Sequence, residues 1–141
     1  MEKKEFENIM NRYIKELKID LTNEQINQFY KYMNLLINWN KVMNLTAIVE
    51  PEEIILKHFI DSLTILSKIK ENDKIIDVGT GAGFPGIPIK IAYPKTKLVL
   101  LDSLNKRINF LNEVINELQL KDIKTIHGRA EDYGKMAEHR S

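Results

Sequence analysis

The stretch that decides the fold covers residues 75–88 and reads Ile-Ile-Asp-Val-Gly-Thr-Gly-Ala-Gly-Phe-Pro-Gly-Ile-Pro. A short, mostly apolar strand is predicted over residues 74–78, and a helical pattern follows the loop. Glycine allows the backbone to adopt unusual φ angles and to approach a ligand closely. The stretch is therefore typical of a strand, a ligand-binding loop and a helix, and its loop contains Gly79, Gly81, Gly83 and Gly86.

The residues after this loop alternate between helical and strand patterns. A helix is predicted up to Tyr93, because Pro94 prevents its continuation. Two further strands are predicted over 97–101 and 123–126, and a helix with one apolar face over 104–118 lies between them. The order β-α-β-α-β predicts the first half of a doubly wound, Rossmann-like α/β fold with parallel strands in the order 3-2-1.

The residues before the loop predict a helical N-terminal extension. Apolar residues recur at three- and four-residue spacing from Phe6 to Leu17, which is typical of a helix with one buried face. Thr22 and Gln25 match a capping box that opens a second helix, which is expected to end near Asn40. The side chains expected to face inward on this second helix are Ile26, Phe29, Tyr30, Met33, Leu36 and Ile37.

A third helix of the extension is predicted to begin at Pro51, since proline suits the first helical position. A short helical piece is expected over 65–69. The pattern then changes, and we predict a helical region over 1–70 and a half-sheet region over 71–141.

The composition is that of an ordinary globular protein. The 141 residues have a net charge of +1, so nucleic-acid binding would depend on a local basic patch. The absence of cysteine excludes disulfides, zinc–thiolate sites and thiol nucleophiles, and no metal ligands are predicted. No apolar run approaches the roughly 20 residues that span a bilayer, and the N-terminus does not match a secretory signal. We expect a cytoplasmic protein.

Acidic or small residues follow each of the three predicted strands. Asp77 precedes Gly79 by two residues, and Asp102 lies 19 residues after Gly83, close to the spacing of about 20 typical of a ribose-binding acid. The third strand is followed by 128–132. Parallel sheets bind ligands at the carboxyl ends of their strands, so these residues are expected to form a ligand site. S-adenosylmethionine suits such a site, because Asp77 could bind its amino group and Asp102 could bind its ribose.

Other interpretations of this loop remain open. A glycine-rich loop also occurs in dinucleotide-binding folds, where a pyrophosphate lies at the helix N-terminus. Two features count against a dinucleotide: Asp77 would stand close to a phosphate, and a long helical extension precedes the first strand. A tight turn without any ligand is a further alternative, and both Asp77 and Asp102 could serve as caps or turn residues.

Residues 77–88 resemble the nucleotide loop of the glucose-inhibited division protein B family, the bacterial 16S ribosomal RNA guanine-N7 methyltransferases. The extension after the third loop glycine, Phe-Pro-Gly-Ile-Pro at 84–88, is more specific than the glycines themselves. Signatures at 39–46, 58–63 and 101–111 are similar to the family as well, and so is Gly128-Arg129-Ala130-Glu131. The resemblance covers about residues 25–141 and implies an S-adenosylmethionine-dependent methyltransferase fold.

The resemblance also implies a function and a binding site. Gly79 and Phe84 would line the methionine and ribose part of S-adenosylmethionine, and Ala130 and Glu131 would hold its adenine. The reaction would methylate N7 of a guanine in 16S ribosomal RNA or the small ribosomal subunit. N7 has a lone pair and no proton, so no general base is needed, and no catalytic residue is predicted. The expected cofactor-binding residues are Asp77, Gly79, Gly81, Gly83, Phe84, Asp102, Ser103, Ala130 and Glu131.

Several polar residues have both a functional and an ordinary interpretation. His58 and Asp61 share one helix face, where they could flank the pocket or form a surface hydrogen bond. The three basic residues near the strand ends could contact RNA phosphates or be solvated surface charges: Lys106, Arg107 and Arg129.

The position of the first strand leads to two expectations. Such a strand normally lies inside a sheet, because an apolar edge strand exposes unpaired backbone groups. We therefore expect either that the chain is the N-terminal part of a longer protein or that self-association covers this edge. The alternative functions are a non-catalytic RNA- or ribosome-binding fragment and a dinucleotide-binding oxidoreductase half-domain.

Overall fold

A computed structural model of the protein describes residues 1–131. The strands are β1 (Lys74–Val78), β2 (Lys97–Asp102) and β3 (Ile123–His127). They form one parallel sheet in the order β1-β2-β3. The α/β class and the strand order are therefore confirmed, and β1 lies at an edge of the described sheet.

Five helical segments precede or connect the strands. They are α1 (Lys3–Glu16), α2 (Asn23–Asn40), α3 (residues 51–68), α4 (Gly86–Ala92) and α5 (Asn105–Leu118). Two of them, α4 and α5, are the crossovers from β1 to β2 and from β2 to β3, as the sequence pattern predicts.

The capping box at the start of α2 is confirmed. The Thr22 N–H donates to Gln25 Oε1 at 2.7 Å, and the Gln25 N–H donates to Thr22 Oγ1 at 3.1 Å. Gln25 Nε2 also donates to the carbonyls of Ile91 and Ala92 at 2.9 and 3.3 Å. One side chain thus caps α2 and binds the last turn of α4.

The third helix begins at Pro51 as predicted, but it is not a regular α-helix. Its winding is α over Pro51–Glu53, π over Ile54–Ile60, α over Asp61–Leu63 and 3₁₀ over Thr64–Lys68. The wider π turn places residues five apart on the same side. Two adjacent apolar pairs at this spacing are buried together as a result: Ile54 with Ile55, and Phe59 with Ile60.

The helices cover one face of the sheet and share one core with it. Buried side chains on both sides of residue 70 belong to the same cluster. The inward-facing residues of α2 differ from the prediction, because Tyr32 is completely buried whereas Tyr30 and Ile37 are only partly buried. The reason is that α2 contacts α1, α4 and α5, so its buried surface is wider than one stripe.

The opposite face of the sheet is open in the described part of the chain. Ile76 and Val78 of β1 point to this face and are 37% and 51% exposed. Within residues 1–131, no helix combines the length and apolar character needed to cross a membrane.

Candidate functional site

The glycine-rich loop lies across the carboxyl ends of β1 and β2. The N–H groups of Gly79 and Thr80 both donate to the Leu101 carbonyl, at 2.8 and 3.1 Å. The first three loop glycines have positive φ angles of +68°, +63° and +102°. The loop therefore turns sharply over the end of the neighbouring strand, through a conformation that other residue types rarely adopt.

The later glycines allow close packing beneath the loop. A Cβ atom at Gly86 would lie 2.5 Å from Leu100 Cδ2 and 2.8 Å from Asp77 Oδ2, so α4 begins directly against the sheet. At Gly79, by contrast, no atom of residues 1–131 other than those of its chain neighbours lies within 4 Å of the Cβ position. In this part of the chain the loop is thus packed beneath Gly86 and open above its first glycine.

Asp77 holds the two ends of the loop together. Its Oδ2 accepts hydrogen bonds from Thr80 Oγ1 at 2.7 Å and from the Gly86 N–H at 2.9 Å. Burial raises the pKa of the Asp77 carboxyl; the bonds from Thr80 and Gly86 oppose this shift, and the negative charge of Asp102 adds to it. The turn-forming role considered from the sequence is therefore present in the structure.

Asp102 joins the loop to the next helix. Its side chain is only 1% exposed. Oδ2 accepts from the Gly81 N–H at 2.9 Å, Oδ1 accepts from the Leu104 N–H at 2.9 Å, and Arg107 Nη1 lies 3.5 Å from Oδ2. Asp102 thus fixes Gly81 and the start of α5, and any cofactor hydroxyl would share an oxygen with these donors.

A cleft of about 560 Å³ opens between the ends of the three strands. Its volume lies within the range of roughly 300–1,000 Å³ typical of small-molecule sites. Five of the nine residues predicted to bind the cofactor line it, together with Arg129: these are Gly79, Asp102, Ser103, Ala130 and Glu131.

The other four predicted residues lie outside the lining of this cleft. Asp77 accepts a hydrogen bond from the Gly86 N–H, and the Gly81 N–H donates to Asp102. Gly83 and Phe84 face the helical extension instead.

Phe84 packs between residues of the helical extension. Its ring is parallel to that of His58, with centroids 4.2 Å apart and planes 5° apart. Tyr32 stacks on it as well, at 5.5 Å. Phe84 therefore connects the loop to α2 and α3.

His58 makes a different hydrogen bond from the one considered in the sequence. Thr46 Oγ1 lies 2.8 Å from His58 Nε2, and no hydrogen bond joins His58 to Asp61 among residues 1–131. Burial lowers the pKa of the His58 imidazole, while the Asp61 carboxylate acts in the opposite direction. Asp61 instead lines a groove of about 370 Å³ that also includes Phe84 and Lys68.

Tyr32 is the residue of this region that the sequence patterns missed. Its hydroxyl donates to the Ala82 carbonyl at 2.5 Å, inside the glycine-rich loop. A helical periodicity that allows two buried stripes on α2 would have placed Tyr32 inside, but nothing in the sequence indicates its partner.

The N-terminus of α4 does not offer free donors to a phosphate. The Gly86 N–H binds Asp77, and the Ile87 N–H donates to the Gly83 carbonyl at 2.7 Å. A dinucleotide needs such donors for its pyrophosphate. This geometry disfavours the dinucleotide alternative.

A parallel β-α-β-α-β arrangement with a glycine-rich loop and a cleft at the strand ends defines an α/β protein of the Rossmann-like, ligand-binding class. The sequence model of the GidB family, described as rRNA small subunit methyltransferase G, matches residues 25–140. The chain belongs to this family.

Similar proteins carry the same family description. Ribosomal RNA small subunit methyltransferase G of Clostridium botulinum (strain Loch Maree / Type A3) is 58% identical over 138 residues, covering 96% of this chain and 58% of the relative. The protein of that name from Desulforamulus reducens is 60% identical over 128 residues, covering 89% of this chain and 53% of the relative. The chain thus spans a little over half the length of these curated relatives.

The comparison with solved structures gives a partial match. A SAM-dependent methyltransferase from Aquifex aeolicus is 25% identical, with a TM-score of 0.45, and the match covers 65% of this chain and 46% of that one.

Proposed function

We propose that the protein containing this chain transfers a methyl group from S-adenosylmethionine to N7 of a guanine in 16S ribosomal RNA, in the cytoplasm. Membership of the GidB family supports an enzyme that methylates small-subunit rRNA. The observation that carries the proposal is the cleft beside Gly79, where acidic and small residues from three strand ends converge.

The cleft suits a nucleoside cofactor that carries a positive charge. Residues 1–131 leave the space above Gly79 open, so a ligand can approach the backbone there. Asp102 and Glu131 line the same cleft, and acidic residues favour cationic or hydrogen-bond-donating groups. We assign Gly79, Asp102, Ser103, Ala130 and Glu131 to direct contact with the cofactor.

The remaining predicted residues are assigned to shaping this site. Asp77 closes the loop, and Gly81 and Gly83 provide its turns. Phe84 anchors the loop to α2 and α3 through its ring contacts.

The proposed reaction needs little acid–base chemistry from the protein. When bound, S-adenosylmethionine would supply an activated methyl group on a cationic sulfur, and the positive charge would pass to the guanine as the N7–carbon bond replaced the carbon–sulfur bond. The N7 lone pair carries no proton, so no residue has to remove one. The task of the chain is to position the reactants in line and to exclude water.

The basic residues near the cleft differ in their availability to RNA. Arg107 forms an ion pair with Asp102, which partly neutralises its positive charge. Arg129 lines the cleft, and Lys106 is exposed on the first turn of α5. We propose Lys106 and Arg129 as the phosphate contacts of this region.

Two measurements test the proposal. Isothermal titration of the chain with S-adenosylmethionine should give saturable binding, and NADH should give none under the same conditions. The complete protein that contains residues 1–141 should then transfer radioactive methyl groups to 16S rRNA, with 7-methylguanosine as the product on digestion. RNA binding without methyl transfer would support the non-catalytic alternative instead.

The exposed edge of the sheet supports a second, independent proposal about partners. β1 pairs only with β2 within residues 1–131, and its Val78 side chain is 51% exposed. We propose that this edge self-associates when nothing else covers it. Light scattering over a tenfold concentration range should detect a dimer of the chain, and a constant monomer mass would rule this out.

A further inference from the structure

Tyr32 lies at the contact between the helical extension and the glycine-rich loop. It belongs to α2, its side chain is completely buried, and its hydroxyl donates to the Ala82 carbonyl at 2.5 Å. The two residues are 50 positions apart in the chain. The contact therefore joins the extension directly to the backbone of the loop.

The part of the loop just before this contact is held from the sheet. The Gly81 N–H donates to Asp102 Oδ2 at 2.9 Å, and the Ala82 carbonyl accepts from Tyr32. Two consecutive loop residues are thus fixed by side chains from β2 and from α2. A peptide rotation that released either bond would leave a buried polar group unpaired, which is costly.

The space around the Tyr32 hydroxyl restricts the loop further. A Cβ atom at Gly83 would lie 2.6 Å from the Tyr32 oxygen. The hydroxyl therefore sits directly against the loop, where only glycine leaves room for it.

The Tyr32 side chain has little freedom to reorient. Its ring stacks on Phe59 and on Phe84, with centroids 5.4 and 5.5 Å apart and 25° between the planes in both pairs. Burial raises the pKa of the Tyr32 phenol well above its ordinary value, and the charge of Asp77 adds to the increase. The hydroxyl thus stays protonated and acts as a donor.

We propose that Tyr32 is a positioning residue of the cofactor site, whose hydroxyl holds the glycine-rich loop in its ligand-binding conformation. The inference rests on the proposed function, because it assigns the loop to S-adenosylmethionine. When the hydroxyl is lost, the loop spends part of its time in other conformations. The apparent affinity for the cofactor then falls in proportion to the fraction of molecules whose loop can still bind it. The helical extension would thereby control the affinity of a site that it does not line.

The test compares two Tyr→Phe variants on the same helix. Tyr32→Phe removes the bond to Ala82 and keeps the ring stack. Tyr30→Phe is the matched control, because its hydroxyl also donates to a backbone carbonyl, that of Met1 at 3.0 Å, away from the loop. The loss of one hydrogen bond predicts S-adenosylmethionine binding about three- to tenfold weaker for Tyr32→Phe and unchanged for Tyr30→Phe.

A spectroscopic measurement separates positioning from a general loss of stability. The chain has six glycines, so ¹⁵N-glycine labelling gives a simple amide spectrum. The amide signals of Gly79, Gly81 and Gly83 should shift in Tyr32→Phe and remain in place in Tyr30→Phe. Unchanged loop glycine signals together with wild-type affinity would overturn the proposal.

The wild-type protein provides a second test that does not depend on the folding of a variant. Adding S-adenosylmethionine should shift the ring signals of Tyr32 and leave those of Tyr30 in place. Saturation without any change at Tyr32 would also overturn the inference. If the complete protein that contains residues 1–141 fails to bind S-adenosylmethionine, the proposed function is wrong, and the glycine signals of Tyr32→Phe alone decide whether Tyr32 sets the loop.

Discussion

The rings of His58 and Phe84 lie parallel, with centroids 4.2 Å apart, and they join α3 to the glycine-rich loop. Thr46 binds the Nε2 atom of the same imidazole at 2.8 Å. A residue of the helical extension thus covers the aromatic side chain of the loop. Because of this stack, the protonation state of His58 affects the stability of the loop.

The first prediction concerns the pH dependence of stability. Burial lowers the pKa of His58 in the folded protein below the ordinary value of 6.5. Well above pH 6.5 the imidazole is neutral in both the folded and the unfolded chain. As the pH falls below 6.5, the unfolded chain takes up the proton first, so folding loses stability until the folded pKa is reached. His58→Phe removes this titration and should therefore make the folding stability less dependent on pH below 6.5.

Thermal unfolding between pH 8 and pH 5 measures this effect. The difference in Tm between wild type and His58→Phe at pH 8 serves as the reference, since the histidine is then neutral in both states. As the pH is lowered, the Tm of His58→Phe should rise relative to that of the wild type. A constant difference across the range would show that His58 does not contribute through its protonation.

The second prediction concerns the buried carboxylate of Asp102. Asp102→Ala leaves the N–H groups of Gly81 and Leu104 without their acceptor. We expect a loss of about 1–3 kcal/mol in the free energy of unfolding and weaker S-adenosylmethionine binding. Asp73→Ala is the control, because Asp73 Oδ2 also accepts from a backbone N–H, that of Lys70 at 3.0 Å, but outside the cleft. Equal affinities of the two variants would remove Asp102 from the site.

The third prediction concerns Lys90, which is only 2% exposed. Its Nζ donates to the carbonyls of Pro94 and Thr96, which lie in the turn between α4 and β2. Lys90→Met should cost about 1–3 kcal/mol of unfolding free energy, because two carbonyls lose their donor. Urea denaturation measures this change. Lys74→Met, at an exposed lysine, should stay within about 0.5 kcal/mol of wild type.

The fourth prediction concerns the close approach of α4 to the sheet. Gly86→Ala would place a methyl group 2.5 Å from Leu100 Cδ2, so either the helix or the strand has to shift. Overpacking of this kind typically costs about 1–3 kcal/mol. Gly128→Ala is the control, since its nearest neighbour would lie at an ordinary 3.7 Å. Similar unfolding free energies for the two variants would contradict the packing argument.

The sequence patterns predicted those parts of the fold that depend on local signals. The capping box of Thr22 and Gln25, the start of α3 at Pro51 and the parallel strands follow from residue type and spacing. The π-helical winding of α3 was not predicted, because its five-residue repeat is short and overlaps the ordinary helical one. The strand ends were also predicted one residue early, at 101 and 126, since polar residues can extend a paired strand.

The candidate site was predictable as a set of positions and not as a set of contacts. The topology requires three strand ends to meet, so Gly79, Asp102 and Glu131 could be placed at one edge from the sequence. The partner of Tyr32 could not, because a hydroxyl on a helix can bind any carbonyl that the packing brings near it. The roles of the nine predicted residues in cofactor binding remain predictions for the titrations described above.

The double use of Gln25 has a consequence for local opening of the protein. Its Oε1 accepts from Thr22, while its Nε2 donates to the end of α4. Fraying of the first turn of α2 therefore also releases the last turn of α4, although these turns lie 66 residues apart. Backbone amides at the two helix ends should exchange with deuterium at matching rates, as one opening unit.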